Sequence, residues 1–199
     1  MHERPEDLAE VQRIIDATFA AAGRHLLDIA SPEHRLTAEQ LAARLDGMRL
    51  LVLATSTRDG RPINGPVDGI FYRGRFHFGS APDSLRFRHL RERPAVSATH
   101  LPDESMAVTV HGDAELIDIH APEHAELKQT VLDIYVPRYG EEWAAMLDGG
   151  AGYARIHPRR IITYVGDSSG AQPPSPGELS EDFAAPGATN SPKNRTRSF

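Results

Sequence analysis

The stretch Phe76-His77-Phe78-Gly79-Ser80-Ala81-Pro82-Asp83-Ser84-Leu85-Arg86-Phe87-Arg88-His89-Leu90-Arg91-Glu92-Arg93-Pro94 decides how the rest of the chain is read. A short apolar strand, Arg75 to Gly79, runs into a Gly-Ser-Ala-Pro turn. A helix is expected from about Asp83 to Arg93, stopped by Pro94. The first amides of a helix lack intrahelical acceptors, and the helix dipole adds positive character there, so such a corner favours an anion. Ser80, Ser84, Arg86 and Arg88 supply donors of the kind a phosphate requires. Arg91 and Arg93 lie further along and read as surface charges or as contacts to an acidic cofactor tail. The plainer reading is a helix capped by Asp83 or Ser84 with a solvated arginine face.

Upstream of this corner the pattern is that of strands. Leu50-Leu51-Val52-Leu53-Ala54-Thr55 is a continuous apolar run, which predicts a strand buried on both faces. Arg58-Asp59-Gly60-Arg61 supplies an Asp-Gly turn, and Ile63 to Tyr72 reads as the returning strand. Pro62 and Pro66 at its beginning suit an edge or a strand start. Arg73-Gly74 turns the chain again. Downstream, Ala95 to His100 is a fourth strand and Ser105 to Asp118 a long alternating fifth. Gly112 interrupts the fifth, which predicts a bulge or the close approach of another backbone.

Helical patterns flank the strands. Leu8, Val11, Ile15, Phe19, Ala22, Leu26 and Ile29 form one apolar stripe, broken at Ser31-Pro32. Thr37-Ala38-Glu39-Gln40 has capping-box spacing and opens a short second helix. Pro122 starts a helix with Leu127, Val131, Ile134 and Tyr135 on one face, expected to end at Pro137. Glu141 to Leu147 is a shorter helix holding Trp143, and Tyr153 to Val165 a last strand with a break at Pro158. The expected organisation is a helical extension over 1–46, a sheet domain over 47–166, and a disordered tail over 167–199. The tail is rich in Pro, Gly, Ser and Asn and has too little apolar surface to offset its ordering entropy. Antiparallel strands joined by tight turns predict a mostly β fold with helices: an α+β barrel of about six strands.

Bulk properties narrow the function. The chain has 199 residues and a net charge of -6, which argues against a general nucleic-acid binder. It has no cysteine, so disulfides, thiolate metal sites and a cysteine nucleophile are excluded. No run of 18 apolar residues predicts a membrane span, the first residues lack a secretory core, and a cytoplasmic location is expected. Only Lys128 and Lys193 are lysine, so positive charge comes almost wholly from arginine. His120 and His124 have the four-residue spacing of metal ligands, but with no third ligand evident no metal site is predicted. His77 and His111 alternate with apolar residues and read as hydrogen-bonded or solvent-facing histidines, the alternative being that one of them faces a ligand groove. Tyr135, Tyr139 and Trp143 are expected to pack in the core, the alternative being the lining of a substrate pocket.

Taken in order, four segments resemble the split-barrel flavin and deazaflavin oxidoreductases, the superfamily of pyridoxamine 5'-phosphate oxidase. These are Leu51-Val52-Leu53-Ala54-Thr55 with Asp59-Gly60-Arg61-Pro62; Pro66-Val67; Phe78-Gly79-Ser80 with Ser84, Arg86, Leu90 and Pro94; and Val110-His111-Gly112-Asp113-Ala114-Glu115-Leu116. The resemblance covers about residues 45–165. Arg86 stands where the family often has Lys, and His89 where it often has Asn. The substrate end of true pyridoxamine phosphate oxidases is not recognisable.

The resemblance implies a homodimer with a flavin-type cofactor, FMN or the 8-hydroxy-5-deazaflavin coenzyme F-420, in a groove between subunits. Its phosphate would lie near Gly79, Ser80, Ser84, Leu85 and Arg86, with Arg88 beside them. Its ring would rest against Pro66, Val67 and Asp68, with Phe78 behind. The implied activity is hydride transfer to or from a small organic substrate, with no side chain required as a catalyst. The arginine-rich groove suits the deazaflavin's polyanionic tail. The competing reading is a non-catalytic protein on the same barrel that sequesters or senses a cofactor or haem.

Overall fold

Six antiparallel strands close on themselves in the computed structural model, which describes residues 1–166; the expected disordered tail at 167–199 lies outside the described residues. The strands are β1 (Met48–Ser56), β2 (Pro62–Tyr72), β3 (Arg75–Ser80), β4 (Ala95–Asp103), β5 (Met106–Ile117) and β6 (Gly152–Val165). Their order around the barrel is β1-β2-β3-β6-β5-β4, and β4 pairs back onto β1 through Val52 and Thr99. The helices are α1 (Pro5–Ala20), α2 (Arg24–Ile29), α3 (Ala38–Arg44), α4 (Leu85–Glu92), α5 (Ala125–Tyr139) and α6 (Glu141–Asp148). The expected α+β split barrel is the observed architecture.

Two turns set the register of the first three strands. Gly60 takes φ +83° in the Asp-Gly turn, and its amide donates to the Thr57 carbonyl at 3.0 Å. Arg73 and Gly74 both have positive φ, 52° and 73°, as a tight primed turn requires. Arg73 tolerates the strain among anchors: its guanidinium pairs with Glu126 of α5 at 2.7 Å and lies 3.7 Å from Asp7 of α1.

Strand β1 departs from the expectation of burial on both faces. Leu51 and Leu53 point into the barrel at 1% and 3% exposure, whereas Leu50 and Val52 stand outside at 65% and 47%. Side chains alternate across a strand, and among the described residues nothing covers the outer face of the barrel here. Leu101 on β4 is likewise exposed.

The N-terminal helices share the barrel's apolar core, because Val11, Ile14, Ile15 and Phe19 of α1 and Leu41 of α3 cluster with Phe76, Val108 and Ile161 of the strands. The long stripe is two helices rather than one, since the chain turns at Gly23, the N-cap of α2. The polar seams are satisfied across elements. The Thr18 hydroxyl accepts from the Ile161 amide at 3.2 Å, and the Thr163 hydroxyl accepts from the Leu36 amide at 3.0 Å. The capping box at α3 forms as its spacing predicts, with the Thr37 amide donating to Gln40 and the Gln40 amide to Thr37. No helix among the described residues is long and apolar enough to cross a membrane.

Gly112 fulfils its expectation of a close approach. A Cβ there would fall inside the envelope of the His157 carbonyl oxygen, and the β5–β6 register shifts between His111 and Gly112, opposite Pro158. β6 runs unbroken through Pro158, because this shift removes the need for a proline amide in the ladder. Pro137 does not end α5; it sits in the last turn, and the helix runs two residues further to Tyr139, before Gly140, where φ is +84°.

Candidate functional site

Strand β3 ends at Ser80, and Ala81-Pro82-Asp83 turns the chain into α4. Of the two possible caps the structure uses Ser84: its hydroxyl accepts from the Phe87 amide, and its carbonyl from the Arg88 amide at 3.0 Å. The amides of Leu85 and Arg86 are therefore among those that helix geometry leaves without an internal partner. Arg91 and Arg93, expected as surface charges or contacts to a cofactor tail, tie this turn down. Arg91 donates to the Pro82 carbonyl at 2.6 Å, and Arg93 to the Ser56 carbonyl on β1 at 3.0 Å.

Arg86 reaches from α4 across to β2, where Nη2 donates to the Pro66 carbonyl at 3.0 Å. Burial pushes its pKa down and the nearby Asp68 carboxylate acts against that. A guanidinium has five donors, and this bond uses one. No other acceptor among the described residues takes the rest. Arg86 is thus a half-buried cation held in place with donors to spare, beside a cavity of about 250 Å³ lined by Leu53, Thr55, Asn64, Ser80, Ser84 and Arg86. Leu85 also lines it. These side chains fit a phosphate: a positioned cation, two serine hydroxyls and helix-start amides converge on one space.

A second cavity, of about 380 Å³, opens on the other side of Ser80. Asp68, Gly79, Tyr135, Trp143, Leu147 and Tyr153 are among the residues of its wall. Tyr135 and Trp143 stack with ring centres 4.4 Å apart and planes at 19°. Burial raises the pKa of both Tyr135 and Tyr153, with the Asp68 carboxylate adding to the effect in each. Gly79 leaves room for the Tyr153 ring, which a Cβ would meet at 3.0 Å. The roof is α6, held at its end by two contacts: Lys128 pairs with Asp148 at 2.7 Å, and His120 Nε2 bonds the Leu147 carbonyl at 3.2 Å.

The residues singled out in the sequence separate into groups. Ser80, Ser84, Leu85 and Arg86 surround the first cavity, while Asp68, Gly79 and Ser80 face the second. Pro66 contributes its carbonyl. Val67 and Phe78 are buried among the barrel's core residues, with Phe78 6.0 Å from Phe87. Arg88 is exposed and lies two residues from Arg86, about 200° around the helix, so the two arginines face apart. Of the aromatics expected in the core, Tyr135 and Trp143 line the second cavity, and Tyr139 is half exposed. Thr55, Asn64 and Tyr153 were not anticipated at either cavity. Thr55 could have been found by register, since it ends the inward-facing row after Leu51 and Leu53; its hydroxyl bonds the buried His89 Nδ1 at 2.9 Å.

The two strand histidines differ. His77 is buried, burial pushes its pKa down to about 3, and its Nδ1 bonds the Arg75 carbonyl. His111 lines a third, more open groove of about 490 Å³ with Thr55, Ser97 and Arg160, and its Nδ1 bonds the Ser97 hydroxyl at 2.6 Å.

The closed barrel with a strand–turn–helix corner defines a split-barrel protein. The family model for pyridoxamine 5'-phosphate oxidase matches residues 37–164, and the chain belongs to that family. No curated protein sequence matches the chain. A conserved hypothetical protein from Mycobacterium tuberculosis is similar in structure, with a TM-score of 0.55 and 22% identity over 67% of this chain and 88% of that one. The haem storage protein HutZ from Vibrio cholerae gives 0.52 and 19% over 66% and 97%. A putative pyridoxamine 5'-phosphate oxidase from Listeria innocua gives 0.50 and 16% over 63% and 95%.

Proposed function

We propose that the chain is an oxidoreductase that binds a phosphate-bearing flavin-type cofactor, FMN or the deazaflavin coenzyme F-420, and transfers hydride to or from a small organic substrate. The observation that carries this reading is the convergence of Ser80, Ser84 and the half-buried Arg86 on one cavity. Arg86 and the two serines would hold the phosphate. The β2 backbone at Pro66–Asp68 would carry the ring. The cofactor supplies the hydride chemistry, and the chain's residues bind, orient and exclude water. Exposed Leu50, Val52 and Leu101 give the outer barrel face an apolar patch that suits a second copy of the chain, so the active form is a homodimer. Arg88, turned away from Arg86, is left for a cofactor's acidic tail or for solvent.

The test is a titration of purified protein with FMN and with the deazaflavin coenzyme, followed by absorbance and calorimetry. Saturable binding of one of them, weakened in Arg86→Ala, supports the reading. Binding of neither overturns it.

One observation favours the second reading, a haem- or cofactor-sequestering protein. His111 borders the open groove with Nδ1 already bonded to Ser97, which leaves Nε2 as the nitrogen for an axial bond. Haemin titration discriminates: a Soret band lost in His111→Ala, with no hydride transfer from reduced cofactor to any acceptor, selects this reading over the first.

A further inference from the structure

The second cavity has a chemistry unlike that of the corner beside it. Its wall is aromatic and aliphatic, with Tyr135, Trp143, Tyr153 and Leu147 around a single ionisable acid, Asp68, and no basic residue. The Arg86 guanidinium lies close enough to Asp68 to interact with it electrostatically, but it does not line this cavity. The Asp68 carboxylate lies beside the Tyr135 hydroxyl and acts on the phenols of both Tyr135 and Tyr153. Trp143, partly exposed and stacked on the buried Tyr135, offers a π-face beside a carboxylate, and both attract a flat cation. An anion would meet that carboxylate and no basic residue of the lining.

We propose that this cavity binds a planar, positively charged ring molecule: a protonated or N-alkylated heteroaromatic, or an aryl amine in its ammonium form. The ring lies along the Tyr135–Trp143 wall and the charge faces Asp68. Its volume, about 380 Å³, suits a molecule of one or two fused rings. That this molecule is the substrate of the cofactor site rests on the function proposed above, since the two cavities share Ser80. Binding of the cation does not rest on it.

Trp143 is the only tryptophan in the chain, so its fluorescence reports on this cavity alone. The full chain without added cofactor is titrated with N-methylquinolinium, neutral quinoline and quinoline-carboxylate, by calorimetry and by Trp143 emission. The expected result is saturable binding of the cation at least tenfold tighter than the neutral ring, with the carboxylate weakest. Asp68→Asn, shown folded by its melting curve, should equalise cation and neutral ring. Arg86→Ala removes a positive charge near Asp68 and should tighten cation binding slightly even if it abolishes FMN binding, which separates failure of this proposal from failure of the cofactor reading. Equal affinity for all three rings, a preference for the carboxylate, or unaltered cation preference in Asp68→Asn overturns the proposal. Displacement of the cation by saturating FMN also overturns it, because the cavity would then be the seat of the cofactor's own ring.

Discussion

The two cavities that meet at Ser80 are built on opposite principles. The corner is made by local sequence: a strand end, a turn, a helix cap and one arginine, all within Ser80–Arg86, with Thr55 and Asn64 brought up by β1 and β2. The chamber is made by distance: Asp68 from β2, Gly79 from β3, Tyr135 from α5, Trp143 from α6 and Tyr153 from β6. The corner concentrates positive charge and hydrogen-bond donors, and the chamber concentrates π-faces around one acid. Under the functions proposed, an anion would be held on one side and a flat molecule on the other, with Ser80 at the boundary.

The most severe way to break both halves is Gly152→Ala. Gly152 pairs with Ser80 on the neighbouring strand, and a Cβ there would strike the Phe87 ring and come within 3.3 Å of the Ser80 carbonyl. Phe87 is 1% exposed and has little freedom to yield. Overpacking of this kind costs ~3 kcal/mol. A lowered melting temperature, with both anion and ring binding weakened together, is expected; unchanged stability would mean that the strand and α4 are not rigidly coupled.

Arg86→Ala separates the halves. Loss of a charge-assisted hydrogen bond should weaken FMN or deazaflavin binding by ~1.5–3 kcal/mol while the fold stays intact. Calorimetry reads the first and thermal melting the second. Unchanged affinity removes Arg86 from the site. Tyr135→Phe works from the other side with a smaller effect. It keeps the stack on Trp143 and removes the hydroxyl beside Asp68, at a cost of ~1 kcal/mol of stability. The cofactor affinity should not move; a matching loss there would show that the two cavities are one.

The corner was legible because its donors are close in sequence and helix starts obey local rules. The barrel was legible for a similar reason: turn chemistry at Asp59-Gly60 and Arg73-Gly74, and the intrusion at Gly112, declare the strands between them. What stayed hidden depends on the packing of separate elements. Arg88 looks equivalent to Arg86 as text, and only the turn of the helix puts them on different faces. Tyr135 and Trp143 sit on helices whose apolar positions read as core, and so they are, on one side. They also border a cavity because α6, set between Gly140 and Gly150 at positive φ, brings Trp143 against Tyr135 near Asp68 of β2 and Tyr153 of β6. Leu50 and Val52 look as buried as Leu51 and Leu53 because hydrophobicity does not say which surface will cover a side chain.

A control away from both cavities sharpens the comparison further. On the β5–β6 surface, Glu115 takes hydrogen bonds from Arg155 at 2.8 Å and from His157 at 2.5 Å, and these partners hold its pKa down to about 2. A carboxyl depressed in the folded state adds stability above its unfolded value, near 4.5, and loses it as pH falls from there towards 2. Glu115 is 44% exposed, so solvent screening limits the contribution to ~1 kcal/mol at most. Melting curves of the parent and of Glu115→Gln should therefore differ slightly at pH 7 and converge as the pH approaches 2. Ligand affinities at pH 7 should be the same in both. If Glu115→Gln altered anion or ring binding, strain would be passing from the barrel's outer surface to Ser80 through Arg155, which lies opposite His77 on β3, and the cavities would not be the independent units their construction implies.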